Sequence, residues 1–174
     1  MVAEGRAFER GGSLRPFARR GGERAIREPR RIALSLLFER YSLDEVLAMR
    51  LPTTEAFSPD EIRRLHHLWA KKLNAPLTSS MGRLFDAVAS LGGFVQNLDY
   101  EGQGGLVMEP WVAEAAGEPF GFEVRSGLVD WSGIIGEIVA LHAQGGMSGD
   151  ELKTTVASRF IATSLVSLKA AGRA

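Results

Sequence analysis

Apolar residues at helical spacing dominate the middle of the chain. In PRRIALSLLFERY, Pro29 suits a first helical position, and Ile32, Ala33, Leu36, Leu37, Arg40 and Tyr41 follow on one face, which predicts a helix over 29–41. Leu43 to Leu51 reads as a short second helix that Pro52 stops. SPDEIRRLHHLWAKKL specifies the next start more fully. Ser58 and Glu61 have the spacing of a capping box, Pro59 takes the first helical position, and Ile62, Leu65, Trp69 and Leu73 line one side. NAPLTSSMGRLFDAVASLGG predicts a helix from Ser80 to Leu91, with Leu84, Phe85, Val88 and Leu91 inward and Gly92-Gly93 as its stop. DWSGIIGEIVALHAQGG predicts a helix from Asp130 to Gln144. Ser148 and Glu151 cap another, whose buried row is Leu152, Val156, Phe160 and Leu168. Strand signals are few: Phe94 to Tyr100 is a short candidate, and Phe120 to Arg125 alternates weakly. The pattern predicts a mainly α protein with a few short strands and no internal repeat.

The first 28 residues break this pattern. FERGGSLRPFARRGGERAIREPRR is punctuated by two Gly-Gly pairs and two prolines, and reads as strand fragments and turns. Residues 1–31 also hold nine arginines (Arg6, Arg10, Arg15, Arg19, Arg20, Arg24, Arg27, Arg30, Arg31) against four glutamates. A basic loop and strand arm over 1–28 is therefore expected, ahead of one mostly helical domain over 29–174. The arm is solvated on the plain reading, and an anion-binding or partner-docking surface on the other.

Composition narrows the function classes. With 174 residues and 45% hydrophobic content, the chain suffices for one core but not comfortably for two. Basic and acidic side chains balance at 21 each, so bulk charge gives no argument for nucleic acid or an anionic membrane surface. The lack of cysteine excludes disulfides, iron–sulfur clusters, thiolate zinc sites and cysteine nucleophiles. No apolar run approaches the roughly 20 residues of a membrane helix, and MVAEGRAFERGG lacks the apolar core of a signal peptide. A soluble, cytoplasmic protein is the expectation.

Candidate chemistry is sparse. His66 and His67 are adjacent and point roughly 100° apart on a helix, which does not suit a shared metal, and His142 lies on a largely apolar helix. No metal ligand set and no nucleophile turn is visible, so no catalytic residue is assigned. GGSLRPF and EGQGG are weak glycine loops without the Gly-Lys-Ser/Thr of a Walker loop. Trp69, Trp111 and Trp131 fall on helical stripes or their starts and suit core packing. That leaves the start of the helix at Ser80. Its unpaired N–H groups and positive dipole end suit phosphate or carboxylate; Thr78, Ser79 and Ser80 add hydroxyls, and Gly82 lets a ligand approach the backbone. Arg83 opposes the dipole unless it meets an anion or a carboxylate such as Asp86 at i+3. Serine and threonine also cap helices for local reasons, so a plain cap and a ligand site both remain open.

LRPFARRGGERAIREPRRIALSLL (Leu14 to Leu37), NAPLTSSMGRLFDAVASLGG (Asn74 to Gly93) and YEGQGGLVMEP (Tyr100 to Pro110), in this order and at these separations, resemble the C-terminal part of HypF, the hydrogenase maturation carbamoyltransferase. The likeness covers most of the chain, is strongest in the first two motifs and is thin after residue 110. It implies part of a domain that resembles the TsaD-type carbamoyltransferases and the actin/sugar-kinase/heat-shock ATPase superfold. Proteins of this family activate carbamoyl phosphate with ATP to a carbamoyl adenylate and pass the carbamoyl group to the C-terminal cysteine of HypE. By resemblance, Thr78, Ser79, Ser80 and Gly82 line the ribose or phosphate side of a nucleotide cleft. Arg83 and Asp86 stand in or just behind its wall, and Glu101, Gly102 and Gln103 face the same cleft.

The departures shape the expectation. The family's histidine-rich metal motif, acidic glycine loop and terminal Ser-Gly-Gly segment are not in this sequence, so any metal would come from elsewhere in the domain. Ile161 stands where histidine is common, and Gly104-Gly105 where small alanines are usual, which loosens the start of the following helix. The chain is therefore expected to be a carbamoyltransferase segment with a half-built nucleotide cleft, inactive alone. The alternatives are a non-catalytic docking module of hydrogenase maturation and, more weakly, a TsaD-like relative of tRNA modification.

Overall fold

A computed structural model describes residues 2–4, 7–9, 13–18, 24–72, 76–113 and 117–171. In chain order its elements are β1 (Val2–Glu4), β2 (Ala7–Glu9), β3 (Ser13–Leu14), β4 (Phe17–Ala18), α1 (Arg24–Arg27), α2 (Pro29–Arg40), α3 (Leu43–Ala48), α4 (Pro52–Glu55), α5 (Pro59–Ala70), β5 (Leu77–Thr78) and α6 (Met81–Leu91). There follow α7 (Gln103–Met108), a 3-10 turn at Glu109–Trp111, β6 (Glu123–Arg125), β7 (Leu128–Asp130), α8 (Ser132–Gln144) and α9 (Gly149–Ala171). Helices make up most of the described residues, as the apolar periodicity predicts.

The centre is α2. Every residue from Ile32 to Phe38 is buried, so the one-sided face read from the sequence is corrected: neighbours cover this helix all round, and Arg40, placed on that face, is exposed. Ser35 is tolerated in the core because its hydroxyl donates to the Arg31 carbonyl at 3.0 Å. Leu84, Ala87, Val88 and Leu91 of α6, Ile134, Ile135 and Ile138 of α8, and Val156, Ala157 and Phe160 of α9 share the same core. Burial of these side chains is the main stabilising term, each contributing about 1.5–3 kcal/mol when fully covered.

The capping signals act where the sequence places them. Glu61 N donates to Ser58 Oγ and Ser58 N to Glu61 Oε2 at the start of α5, and the same reciprocal pair joins Ser148 to Glu151 before α9. On α5, Ile62 is buried, while Leu65 and Trp69 pack partly covered against the core; Leu73, expected in the same row, lies outside the described residues, as does the Leu168 side chain of α9. Pro52 does more than stop a helix. The preceding helix already ends at Ala48, and Pro52 opens α4, where a first-turn proline loses no hydrogen bond.

Two strand expectations change. Phe94 to Tyr100 is not a strand, because Gly93 takes a left-handed φ of 77° and the amides of Phe94 and Val95 return to the Ala89 carbonyl. The expected strand over 120–125 is confined to β6, which pairs antiparallel with β7 across a turn in which Ser126 and Gly127 both have positive φ. Asp130 consequently belongs to β7, and its Oδ1 accepts from Ser132 N, so α8 starts two residues later than expected.

Residues 13–18 of the N-terminal segment are not a solvated arm. Leu14, Phe17 and Ala18 are buried; β3 runs parallel to β7, and β4 pairs antiparallel with β5. Trp131, fully buried, packs edge-on against Phe17 at 5.6 Å, and its Nε1 donates to the Arg15 carbonyl at 2.9 Å. The Arg15 guanidinium lies 4.1 Å from the Trp131 ring and pairs with Glu39 at 3.0 Å and Asp130 at 3.2 Å. Arg30 and Arg31 both bond Glu28. Internal carboxylates therefore neutralise these three arginines. Arg6, Arg10, Arg19 and Arg20 lie outside the described residues.

Candidate functional site

The pairing of β5 with β4 fixes the start of α6. Thr78 stands opposite the buried Phe17, so the Thr-Ser-Ser turn is anchored to the core while its hydroxyls face outward. Thr78 is half-buried; Ser79, Ser80 and Gly82 are exposed. Thr78 Oγ1 accepts from Ser80 N at 3.2 Å, and Ser80 Oγ accepts from Arg83 N at 3.4 Å. Ser80 is thus the N-cap of α6 and Thr78 braces it, whereas the hydroxyl of Ser79 has no such task. The first intrahelical bond runs from Leu84 N to Ser80 O, so the amides of Met81 and Gly82 precede the ladder and have no partner among the described residues. A Cβ at Gly82 would meet only Ser80 Oγ, at 3.6 Å, so the approach to this backbone is open.

Arg83 and Asp86 have turned away from this opening. The Arg83 side chain is 7% exposed and that of Asp86 2%; Nη1 of the arginine donates to Asp86 Oδ2 at 2.8 Å, and Nη2 donates to Glu101 Oε1. The carboxylate that the sequence offered at i+3 satisfies the cation, joined by one 18 residues away. Glu101 lies on the turn into α7, its side chain 81% exposed, with Gly102 in the left-handed region at φ 86° and Gln103 Oε1 accepting from Asp99 N. Arg83, Asp86, Glu101 and Gln103 together therefore clamp the 99–103 turn onto α6.

Gly104 completes the clamp. A Cβ there would stand 2.5 Å from Asp86 Oδ1 and 2.9 Å from Asp86 Cα. The glycine does not loosen the start of α7 but lets it pack directly on α6. Asp86 Oδ1 is buried without a full hydrogen bond, and the Gly104 amide stabilises the carboxylate only in part. Burial pushes Asp86 above its ordinary value of 3.8, against the pull of Arg83.

The histidines stay apart from this site. His142 Nε2 lies 2.8 Å from the Leu91 carbonyl, and burial lowers its pKa; His66 packs against Phe38 and Trp69, and His67 is exposed. Among the described residues no group of three or more His, Cys, Asp or Glu is placed to hold a metal ion. Trp69 and Trp111 pack partly covered against the core, in line with their expected structural role. Sequence reasoning missed an open cavity of about 460 Å³ lined by Arg40, Phe122, Glu123, Arg125, Asp130 and Ser132. Its signal was the Arg-Ser-Gly-Leu turn between the two strands. The ion pairs of Arg15 with Asp130 and of Arg125 with Glu123 already balance most of its charge.

Residues 1–172 match the family model described as carbamoyltransferase, Kae1-like domain, second subdomain. The chain belongs to that family. It is 39% identical over 118 residues to carbamoyltransferase HypF2 of Cupriavidus necator, covering 68% of this chain and 14% of that protein. With carbamoyltransferase HypF of Rhizobium leguminosarum bv. viciae it shares 31% identity over 135 residues, 78% of this chain and 17% of the relative. A crystal structure of full-length HypF in its phosphate- and nucleotide-bound form superposes with a TM-score of 0.68 at 25% identity, covering 94% of this chain and 25% of that one. The chain thus spans only a small part of these proteins' length. The resemblance read in the motifs holds, as does the fold expected from it. Among the described residues no helix is long and apolar enough to cross a membrane.

Proposed function

We propose that this chain is one wall of the nucleotide cleft of a HypF-type carbamoyltransferase serving nickel–iron hydrogenase maturation, with the start of α6 as its ligand-facing edge. The observation that carries the reading is the open N-terminus of α6, where the Met81 and Gly82 amides have no partner among the described residues and the Ser79 hydroxyl serves no cap. These groups fit a phosphate-bearing ligand: N–H donors and hydroxyls occupy successive positions at an exposed positive dipole end. That a related full-length HypF holds phosphate and nucleotide supports it.

In this reading ATP, and the carbamoyl adenylate made from it with carbamoyl phosphate, supply the activated carbamoyl group that passes to a HypE-type cysteine. The contribution of this chain is to bind and orient. Thr78, Ser79 and Ser80 present hydroxyls to the ribose or phosphate edge, Gly82 admits it to the backbone, and the Arg83–Asp86–Glu101 clamp fixes Gly102 and Gln103 on the adjoining rim. No residue here is assigned to the bond-making steps, so the isolated chain is expected to have no carbamoyl phosphate-dependent ATP cleavage.

Calorimetric titration of ATP into the wild-type chain and Ser79→Ala, with and without carbamoyl phosphate, tests the reading. Binding that Ser79→Ala weakens without loss of stability supports a ligand edge. Saturating ATP without heat or competition in the wild type refutes it, and leaves a non-catalytic docking module.

A further inference from the structure

The two halves of α9 bury opposite chemistries. Up to Phe160 the pattern is ordinary: Asp150 and Glu151 are exposed, while Val156, Ala157 and Phe160 are buried. Beyond Phe160 it inverts. Thr163, Ser164 and Ser167 are buried, and their hydroxyls donate to the Arg159, Phe160 and Ser164 carbonyls of the same helix at 2.6, 2.9 and 3.1 Å, whereas Leu165 is 59% and Val166 45% exposed. These two form the only consecutive pair of large exposed apolar side chains among the described residues. Between Arg159 and Lys169 the sequence holds no charged residue, although a solvated helix face ordinarily carries several. No rotation of α9 relieves the inversion. Leu165 follows Val156 by nine residues and Val166 follows Ala157 by nine, which is about 180° round a helix, so burying one pair exposes the other.

We propose that the distal half of α9 is a docking surface, and that its occupant is an apolar, uncharged face on the other subdomain of the same Kae1-like domain. The family to which the chain belongs is the second subdomain of that domain, and the HypF relatives carry the matching segment inside one long polypeptide, of which this chain spans 14% in one case and 17% in another. The size of the patch selects such a partner. One leucine and one valine, each partly covered, fall far short of the about 800 Å² per partner that a stable interface buries, so a second copy or a free protein gains too little here to stay bound. A neighbour in the same polypeptide meets the face at high effective concentration and needs no large area. This contact needs no nucleotide, so it stands or falls apart from the reading of α6 as an ATP-facing edge.

The test places Leu165→Gln/Val166→Gln in two settings: this chain alone, and a chimera in which this chain replaces the superposed segment of the full-length HypF that covers 94% of it. Thermal melts of both, each against its unsubstituted parent, give the comparison. The isolated variant is expected to keep the midpoint of its parent, because the face is solvated there. The substituted chimera is expected to lose about 5 °C, as for two apolar side chains made polar at a covered contact. Equal losses in the two settings overturn the proposal by placing the face inside this chain's own core, and no loss in either overturns it by leaving the face solvated in the whole domain. An unsubstituted chimera that does not fold also overturns it, since the chain then fails to meet the rest of the domain. Sedimentation velocity of the isolated chain reads the remaining occupant: a dimer that the substitutions abolish assigns the face to a second copy and overturns the proposal.

Discussion

The clamp between α6 and α7 makes a quantitative demand on stability. Asp86→Ala removes a carboxylate whose side chain is 2% exposed and leaves Arg83, its side chain 7% exposed, with only the solvent-facing Glu101. Arg83→Met, the converse change, keeps an unbranched apolar stem but strands the Asp86 carboxyl beside Gly104. Breaking a buried pair from one side costs about 3–5 kcal/mol, because the remaining charge loses its counter-charge without regaining water. Glu101 and the Gly104 amide retain some compensation, so each single change is placed at the low end, about 3 kcal/mol. With an m-value of about 2 kcal/mol per molar for urea, that is a midpoint shift of about 1.5 M. The double variant Asp86→Ala/Arg83→Met removes both charges and should cost far less than the sum of the singles, leaving a coupling of about 2 kcal/mol or more. Urea unfolding of the four proteins, followed by far-UV circular dichroism, measures the cycle. Single losses under about 1 kcal/mol, or strict additivity, would refute the buried clamp and return Arg83 to a solvated surface role.

Three further outcomes follow from the packing. Gly133→Ala should destabilise by about 1–3 kcal/mol, because its new Cβ would run into the Gly121 carbonyl, a backbone atom with no rotamer to yield; the urea midpoint checks this. Trp131→Phe should cost about 2–3 kcal/mol, since the smaller ring leaves a void, loses the bond to the Arg15 carbonyl and weakens the stacking of Arg15, again read from the urea midpoint. Burial raises Glu28, but the hydrogen bonds and charges of Arg31 and Arg30 outweigh it and hold the carboxyl below its ordinary 4.5. Its stabilising share is therefore complete above pH 4.5 and is lost as pH falls through the lower folded value. The stability gap between wild type and Glu28→Gln, from thermal melts at several pH values, should be constant above that range and shrink below it.

What could be read from the sequence was local. The Ser58–Glu61 and Ser148–Glu151 boxes were legible because each is a contact between residues three apart. The role of Leu14 and Phe17 was not, since their burial depends on Val129 and Trp131, more than a hundred residues further on. Gly-Gly pairs and arginines between them disguised a segment that folds into the core. The same limit divides the site. Ser80 as a cap and Asp86 as a partner of Arg83 follow from spacing along one helix. Glu101 as the second partner and Gly104 as the residue that admits α7 needed the approach of two helices, which no periodicity encodes. The long motifs carried the family likeness because they combine many such contacts in one string.

The central claim, that the start of α6 is a phosphate-facing edge of a nucleotide cleft, is most directly tested by amide NMR of the labelled chain titrated with ATP. The account predicts saturable shifts centred on Thr78, Ser79, Ser80, Met81 and Gly82, with smaller changes at Glu101 and Gly102. Shifts that leave these amides in place, or that gather instead around Arg40 and Ser132 at the separate cavity, would contradict it.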